Sequence, residues 1–88
     1  MRILKEYLQI TDAQNINLPG SNVNPISVIE QNKKLVMYFE TDYDSDCSVP
    51  VTVYVIGTGH IRSDLATAKY IGTVAMTNGF VWHVYFSK

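Results

Sequence analysis

The chain has little charge of either sign, a single cysteine and no long apolar run. Its 88 residues hold seven Lys and Arg against eight Asp and Glu, for a net charge of −1. This balance lacks the excess of cations that gives non-specific nucleic-acid and membrane-surface binders their affinity, so we expect direct binding to neither. The lone Cys47 excludes an intrachain disulfide and favours the reducing cytoplasm. No segment approaches the roughly 18 apolar residues of a membrane span, and the charged N-terminus does not resemble a signal peptide.

Helical periodicity is also scarce, whereas apolar residues recur at every second position. The clearest strand is Val49 to Ile56, in which four valines face one side and Thr52, Tyr54 and Ile56 face the other. At 88 residues, the length fits one domain, residues 1–88. A mostly β domain follows from this pattern.

Two hairpins and two further strands complete the expected set. Strands Ile26 to Glu30 and Leu35 to Glu40 flank a tight connection, and strands Tyr70 to Met76 and Phe80 to Phe86 flank Thr77-Asn78-Gly79. The Asn78-Gly79 pair is expected to supply positive φ angles, and the face with Phe80, Trp82, Val84 and Phe86 is expected to be core. Ile3 to Ile10, with Leu4, Leu8 and Ile10 on one side, is a strand without an assigned partner, and Ile16 to Leu18 is a short edge strand.

One short segment has helical character. Ser63 to Ala68 is expected to form at most one helical turn, with Ser63 as its cap. The fold class is therefore all-β with at most one short helical turn: a small antiparallel β-sandwich or bent barrel of six to seven strands.

An acidic loop follows the fourth expected strand. Asp42, Asp44 and Asp46 alternate as in the opening of a calcium loop, but Cys47 replaces the required glycine and Val53 replaces the closing glutamate. We therefore predict no metal site. Together with Tyr43, the three aspartates are instead the predicted contact with a basic surface on a protein partner.

A glycine turn follows the clearest strand. Gly57, Thr58, Gly59 and His60 can present backbone N–H groups to a phosphate, although the motif lacks the further glycine of a dinucleotide loop and the Gly-Lys-Ser/Thr of a Walker loop. These four residues are the predicted site of an alternative, small-ligand function. Glycines that let a strand leave its sheet are the simpler interpretation.

Catalytic groups are sparse. His60 and His83 are candidates for acid–base chemistry, but nothing in the sequence places them near a nucleophile. The acidic surroundings of Cys47 are expected to raise its pKa and reduce its reactivity. We predict no catalytic residues, no enzyme activity and no cofactor.

Tyrosine is the most abundant aromatic residue, with six copies. They are Tyr7, Tyr38, Tyr43, Tyr54, Tyr70 and Tyr85, and several fall on strand faces opposite the expected core. Half-exposed tyrosines are typical anchors of binding interfaces. For any single tyrosine, the simpler interpretation is that its ring packs on the outer side of a small barrel.

Three motifs in the second half of the chain carry a resemblance. Gly57-Thr58-Gly59-His60, then Tyr70-Ile71-Gly72-Thr73, then Trp82-His83-Val84 resemble the pattern of a family of small, uncharacterised domains encoded by bacteriophages and prophages. The opening Ile10-Thr11-Asp12-Ala13-Gln14 is similar to that family as well. The resemblance implies a phage origin and an accessory role in the host cytoplasm, and it supplies no site residues.

Two functions from different classes remain open. The first is a non-enzymatic inhibitor that binds a host protein, such as a CRISPR-type defence effector. The alternative is a small-ligand binder, such as a protein that sequesters a signalling nucleotide at an oligomer interface. Low charge and uncovered β edges also predict a homodimer.

Overall fold

A computed structural model describes residues 1–60 and 62–88, and seven antiparallel strands dominate it. The strands are β1 (Arg2–Leu8), β2 (Gln14–Pro19), β3 (Val23–Gln31), β4 (Lys34–Thr41), β5 (Ser48–Gly57), β6 (Lys69–Ala75) and β7 (Val81–Ser87). One 3-10 helix, Ser63–Thr67, stands between β5 and β6. The described part of the chain contains no helix that could cross a membrane. The all-β fold class is confirmed.

The first sheet has three strands in the order β1-β4-β3. The β3–β4 hairpin predicted from the sequence is present, and Asn32 and Lys33 form its two-residue turn with φ of 55° and 63°. Positive φ at both central residues matches the right-handed twist of the flanking strands. The unassigned partner of β1 is β4, so the N-terminal strand forms one edge of this sheet.

The second sheet has four strands in the order β2-β5-β7-β6. After β5 the chain passes through the 3-10 helix and forms β6 at the edge of the sheet, one strand away from β5. Strand β7 then lies between β5 and β6 and pairs with both. The segment predicted as an edge strand is β2, which pairs with β5 alone. In the β6–β7 loop, Gly79 adopts a positive φ of 93°. Asn78, which the sequence also predicted to have positive φ, does not adopt it, so the glycine alone provides the left-handed conformation of this turn.

The inner faces of the two sheets share one hydrophobic core. Its most buried large members are Leu18, Val23, Leu35, Met37, Phe39, Val53, Val55 and Val84. They alternate along their strands with outward-facing residues, as the sequence pattern predicted. Two sheets with a common core make the fold a sandwich, which decides between the two architectures that the sequence left open.

A bulge in β6 sets the direction of its side chains. Tyr70 pairs with Tyr85, but the next register pair is Gly72 with Val84, so Ile71 is an extra residue. The bulge places Tyr70 outward while the later residues of β6 keep their alternation. Gly72 faces β3, where an added Cβ would lie 3.2 Å from Val28 Cγ1.

Three local expectations were wrong. Strand β1 ends at Leu8, and Ile10 is exposed rather than inward. Phe80, expected in the core, precedes β7 and is 61% exposed, whereas Trp82 packs against the core as expected and is partly buried. Arg62, not Ser63, occupies the N-cap position of the helix, which is a 3-10 turn.

Candidate functional site

Three tyrosines form a row across the outer side of the four-stranded sheet. The strand register pairs Tyr54 with Tyr85 and Tyr85 with Tyr70. The Tyr70 and Tyr85 rings meet edge to face with centroids 5.4 Å apart, and Tyr70 is 52% exposed. The Arg62 guanidinium lies 5.2 Å from the Tyr54 ring centroid, in cation–π range. We call Tyr54, Tyr70, Tyr85 and the adjacent His83 and Thr73 the tyrosine face.

A chain of hydrogen bonds orders this face. His83 Nε2 is hydrogen-bonded to Thr58 Oγ1 at 2.8 Å, and His83 Nδ1 to Thr73 Oγ1 at 3.0 Å. Thr73 Oγ1 is in turn hydrogen-bonded to the Tyr70 hydroxyl. A neutral imidazole offers one donor and one acceptor, so both ring nitrogens can be satisfied at once. The chain links the glycine turn after β5 to the exposed tyrosine on β6.

The end of the same sheet holds an open cleft. Its volume is about 530 Å³, and it is lined by Gly57, Thr58, His60, Gly79, Phe80, Val81 and Trp82. The Phe80 and Trp82 rings are tilted by 31° with centroids 5.9 Å apart. The His60 and Trp82 rings both approach Gly57 closely, because a Cβ there would lie 3.1 Å from His60 Cε1 and 3.4 Å from Trp82 Cζ3. We call it the aromatic cleft.

The predicted ligand residues therefore fall at this cleft. Gly57, Thr58 and His60 line it, and Gly59, with φ of 89°, forms the turn that the His60 amide closes by donating to the Gly57 carbonyl oxygen at 3.1 Å. The two histidines take different roles, since His83 bonds Thr58 while His60 packs against Gly57. Neither histidine is hydrogen-bonded to a carboxylate in the described residues.

The acidic loop joins β4 to β5, at the far end of β5 from the cleft. Asp42 Oδ1 accepts from the Ser21 and Asn22 amides at 2.9 and 3.1 Å, and its Oδ2 accepts from the Ser21 hydroxyl at 2.6 Å. These bonds, that of the Ser21 hydroxyl first, lower the pKa of Asp42. Asp42 thus holds the β2–β3 turn.

The other predicted contact residues of the loop are exposed. Asp44 Oδ1 accepts from the Asp46 amide at 2.9 Å, and the Arg2 guanidinium lies 4.9 Å from the centroid of the Tyr43 ring. No group of three or more metal-ligating side chains occurs among residues 1–60 and 62–88.

The thiol of Cys47 behaves as its sequence neighbours predicted. The negative charge of Asp44, with smaller contributions from desolvation, a hydrogen bond to Asp44 and the charge of Asp42, raises the pKa of Cys47. Because the thiolate is the nucleophile, this exposed cysteine is held in its less reactive form.

Sequence reasoning missed the aromatic half of the cleft and the alignment of the tyrosines. Phe80 and Trp82 were assigned to the core because they share a strand face with Val84 and Phe86. The row of Tyr54, Tyr85 and Tyr70 depends on the pairing of β5 with β7, a contact between distant segments. The three motifs that carry the resemblance were a usable sequence signal, because their residues Thr58, Thr73 and His83 meet at this end of the sheet.

The family comparison identifies an uncharacterised domain family over the whole chain. A family model described as a domain of unknown function, DUF7352, matches residues 1–88, and the chain therefore belongs to this family. No curated protein and no solved structure matches it.

Proposed function

We propose that this member of DUF7352 is a non-enzymatic binding domain that engages a protein partner through the tyrosine face. The observation that carries the proposal is the alignment of Tyr54, Tyr85 and Tyr70 on the outer side of one sheet. Tyrosine is enriched at protein interfaces because it offers a large apolar ring and a hydroxyl with few rotatable bonds.

The rigidity of the face supports the same function. The tyrosines stand on three neighbouring strands, and the Thr58–His83–Thr73–Tyr70 hydrogen bonds restrain the outermost ring. A surface already ordered before binding loses little conformational entropy when a partner docks. Side chains that must be ordered on docking would weaken the complex.

The target that we propose is a protein of a bacterial host, such as a CRISPR-type defence effector, met in the host cytoplasm. The support is the resemblance of the three motifs to phage-encoded domains. Tyr43, Asp44 and Asp46, exposed at the other end of β5, are a second candidate contact for a basic partner surface. Asp42 serves this role less readily, because its carboxylate is engaged with Ser21 and Asn22.

A second candidate function is the sequestration of a small ligand, and the aromatic cleft favours it. The cleft volume of about 530 Å³ lies within the range of roughly 300 to 1,000 Å³ typical of small-molecule sites. Three of the four residues expected to bind a ligand line it.

Native mass spectrometry of the tagged chain, captured from bacterial host lysate, tests the protein-binding proposal. We expect the wild-type chain to carry a bound host protein. Combining Tyr70→Ser with Tyr85→Ser should reduce the affinity for that protein about 30-fold or more, so that it is no longer captured. Tyr7→Ser is the matched control, because Tyr7 is 43% exposed but lies on β1 of the other sheet. Equal capture by both variants would overturn the proposal, and loss only with Asp44→Asn and Asp46→Asn would move the contact to the acidic loop.

The same spectra give the oligomeric state. Strands β1, β3, β2 and β6 lie at sheet edges, and we propose that two copies pair along one of them. A dimer mass that dissociates when proline is introduced into one edge strand supports this pairing, and a monomer at every concentration contradicts it.

A further inference from the structure

We infer that the aromatic cleft binds a planar heteroaromatic ring of the nucleobase type. This inference rests on the proposed ligand-binding function and deepens it; the cleft is linked to the tyrosine face through the Thr58–His83 hydrogen bond. It starts from the position of the two rings in the cleft. Phe80 is 61% exposed and Trp82 partly exposed, and their centroids are 5.9 Å apart.

Exposed aromatic rings gain most from a flat partner. A planar ring laid against an indole or phenyl face removes apolar surface from water on both sides and adds a stacking contact. Every nucleobase has such a face, so stacking alone is tolerant of base identity. Phe80 and Trp82 thus favour a ring-shaped ligand over an aliphatic one.

The rim of the cleft supplies polar groups at the edge of that ring. Thr58 carries a hydroxyl that can donate and accept, and the His60 imidazole carries both a ring N–H and a ring nitrogen. Nucleobases present donors and acceptors in the plane of the ring, where these groups can meet them. The Thr58 hydroxyl is held in place by His83 Nε2 at 2.8 Å.

The charge of the lining argues against a site built for phosphate. Among the residues that the structure describes, the seven that line the cleft include no lysine or arginine. A cradle at a helix N-terminus is also unsupported, because the nearest helix is a five-residue 3-10 turn. The base is therefore the recognised group, and any phosphate of a nucleotide points toward solvent.

Trp82 provides a direct readout, since it is the only tryptophan in the chain. The full chain is titrated with adenosine, guanosine, cytidine and uridine, with adenosine monophosphate, and with ribose 5-phosphate, while Trp82 fluorescence and the indole N–H resonance are followed. We expect saturable changes with at least one of the four nucleosides and no change with ribose 5-phosphate. If adenosine binds, adenosine monophosphate is expected to bind as well. Binding of ribose 5-phosphate as tight as that of adenosine monophosphate would overturn the inference. No change with any base at 10 mM would overturn it as well, because a stacking contact of about 3 kcal/mol corresponds to a dissociation constant of about 10 mM.

Phe80→Ala is the decisive variant. Because Phe80 lies on the surface, its truncation leaves the core intact, and Trp82 remains as the reporter. We expect nucleoside affinity to fall about tenfold or more, whereas Tyr7→Ala on the other sheet leaves it unchanged. Equal affinity in the two variants contradicts the inference even if the wild-type chain binds a base elsewhere.

Two further arms separate related outcomes. A short oligoadenylate is compared with adenosine monophosphate. If the oligoadenylate binds at least tenfold more tightly, single-stranded nucleic acid is the source of the base, and if the two bind equally, the source is the free nucleotide. Either result supports base recognition. Tyr85→Ser, which leaves the Thr58–His83–Thr73–Tyr70 hydrogen bonds in place, is expected to bind nucleoside normally. Failure of the tyrosine face and failure of the cleft are thereby distinguished.

Discussion

Gly20 and Thr41 fit together so closely that a Cβ at Gly20 would overlap the Thr41 hydroxyl. Gly20 has φ of 113°, and a Cβ there would overlap Thr41 Oγ1 and lie 2.6 Å from Asp42 Oδ1. The buried Thr41 hydroxyl donates to the Pro19 carbonyl oxygen at 2.6 Å and accepts from the Tyr43 amide at 3.1 Å. The hydroxyl therefore joins the end of β2 to the end of β4.

Gly20→Ala should lower the free energy of unfolding by about 3 kcal/mol, because left-handed strain and steric overlap act together. Gly79→Ala is the matched control: Gly79 has φ of 93°, but a Cβ there meets nothing within 4 Å. The control should cost only the backbone strain, about 1–2 kcal/mol. Urea denaturation of both variants measures the difference, and equal losses would show that Thr41 and Asp42 move aside easily.

The strands could be predicted from the sequence because their signal is local. Alternating valines in β5 and the two hairpin turns are properties of neighbouring residues. The strand order could not be predicted from the sequence, because β7 lies between β5 and β6 and this order depends on contacts between distant segments. The partner of β1 was hidden for the same reason.

The candidate site was predicted in part. The Gly57–His60 turn was identified because glycine and histidine mark it in one short segment. Phe80 was wrongly assigned to the core because a strand face that is buried in the middle of the sheet is open at its end, where Trp82 packs against the core but stays partly exposed. Tyr70 faces outward only because of the bulge at Ile71, which a regular alternation does not predict.

Acidification should destabilise the protein through Asp42. Its pKa is lowered in the folded state by the Ser21 hydroxyl and the Asn22 and Ser21 amides. The contribution of Asp42 is therefore complete above its unfolded value near 4 and is lost as the pH falls through the lowered folded value. In Asp42→Asn, stability at pH 7 decreases, while its dependence on pH below 5 becomes shallower than in the wild type. Parallel pH profiles from urea denaturation would contradict this role.

The reactivity of Cys47 should depend on Asp44. The negative charge of Asp44 is the largest cause of the raised pKa of Cys47. Asp44→Asn should therefore increase the thiolate fraction and speed alkylation by iodoacetamide at pH 7.5, about two- to fivefold at low salt. Asp12→Asn, in the loop between β1 and β2, is the control, and equal rates in the two variants would refute a local effect.

Glu6 should reduce stability at neutral pH. It lies opposite Met37 in the register of β1 with β4, on the inner side of the sheet, and burial raises its pKa. Since the folded state holds the proton more tightly, stability decreases as the pH rises from the unfolded value through the raised folded value, and the loss persists above it. Glu6→Gln should therefore be slightly more stable than wild type at pH 7 and should lose this advantage near pH 3. A less stable variant at pH 7 would contradict the sign.

Glu30 and Thr77 hold the two sheets together at the edge of the core. The Glu30 carboxylate at the end of β3 accepts from the Thr77 amide at 3.0 Å and from its hydroxyl at 2.8 Å, in the β6–β7 loop. Glu30→Gln should lower the free energy of unfolding by about 1–2 kcal/mol, since bonds to a charged acceptor become bonds to a neutral one. A double-mutant cycle with Thr77→Val isolates the hydroxyl bond, with an expected coupling of about 1 kcal/mol. Additive losses would mean that the carboxylate acts through the Thr77 amide alone.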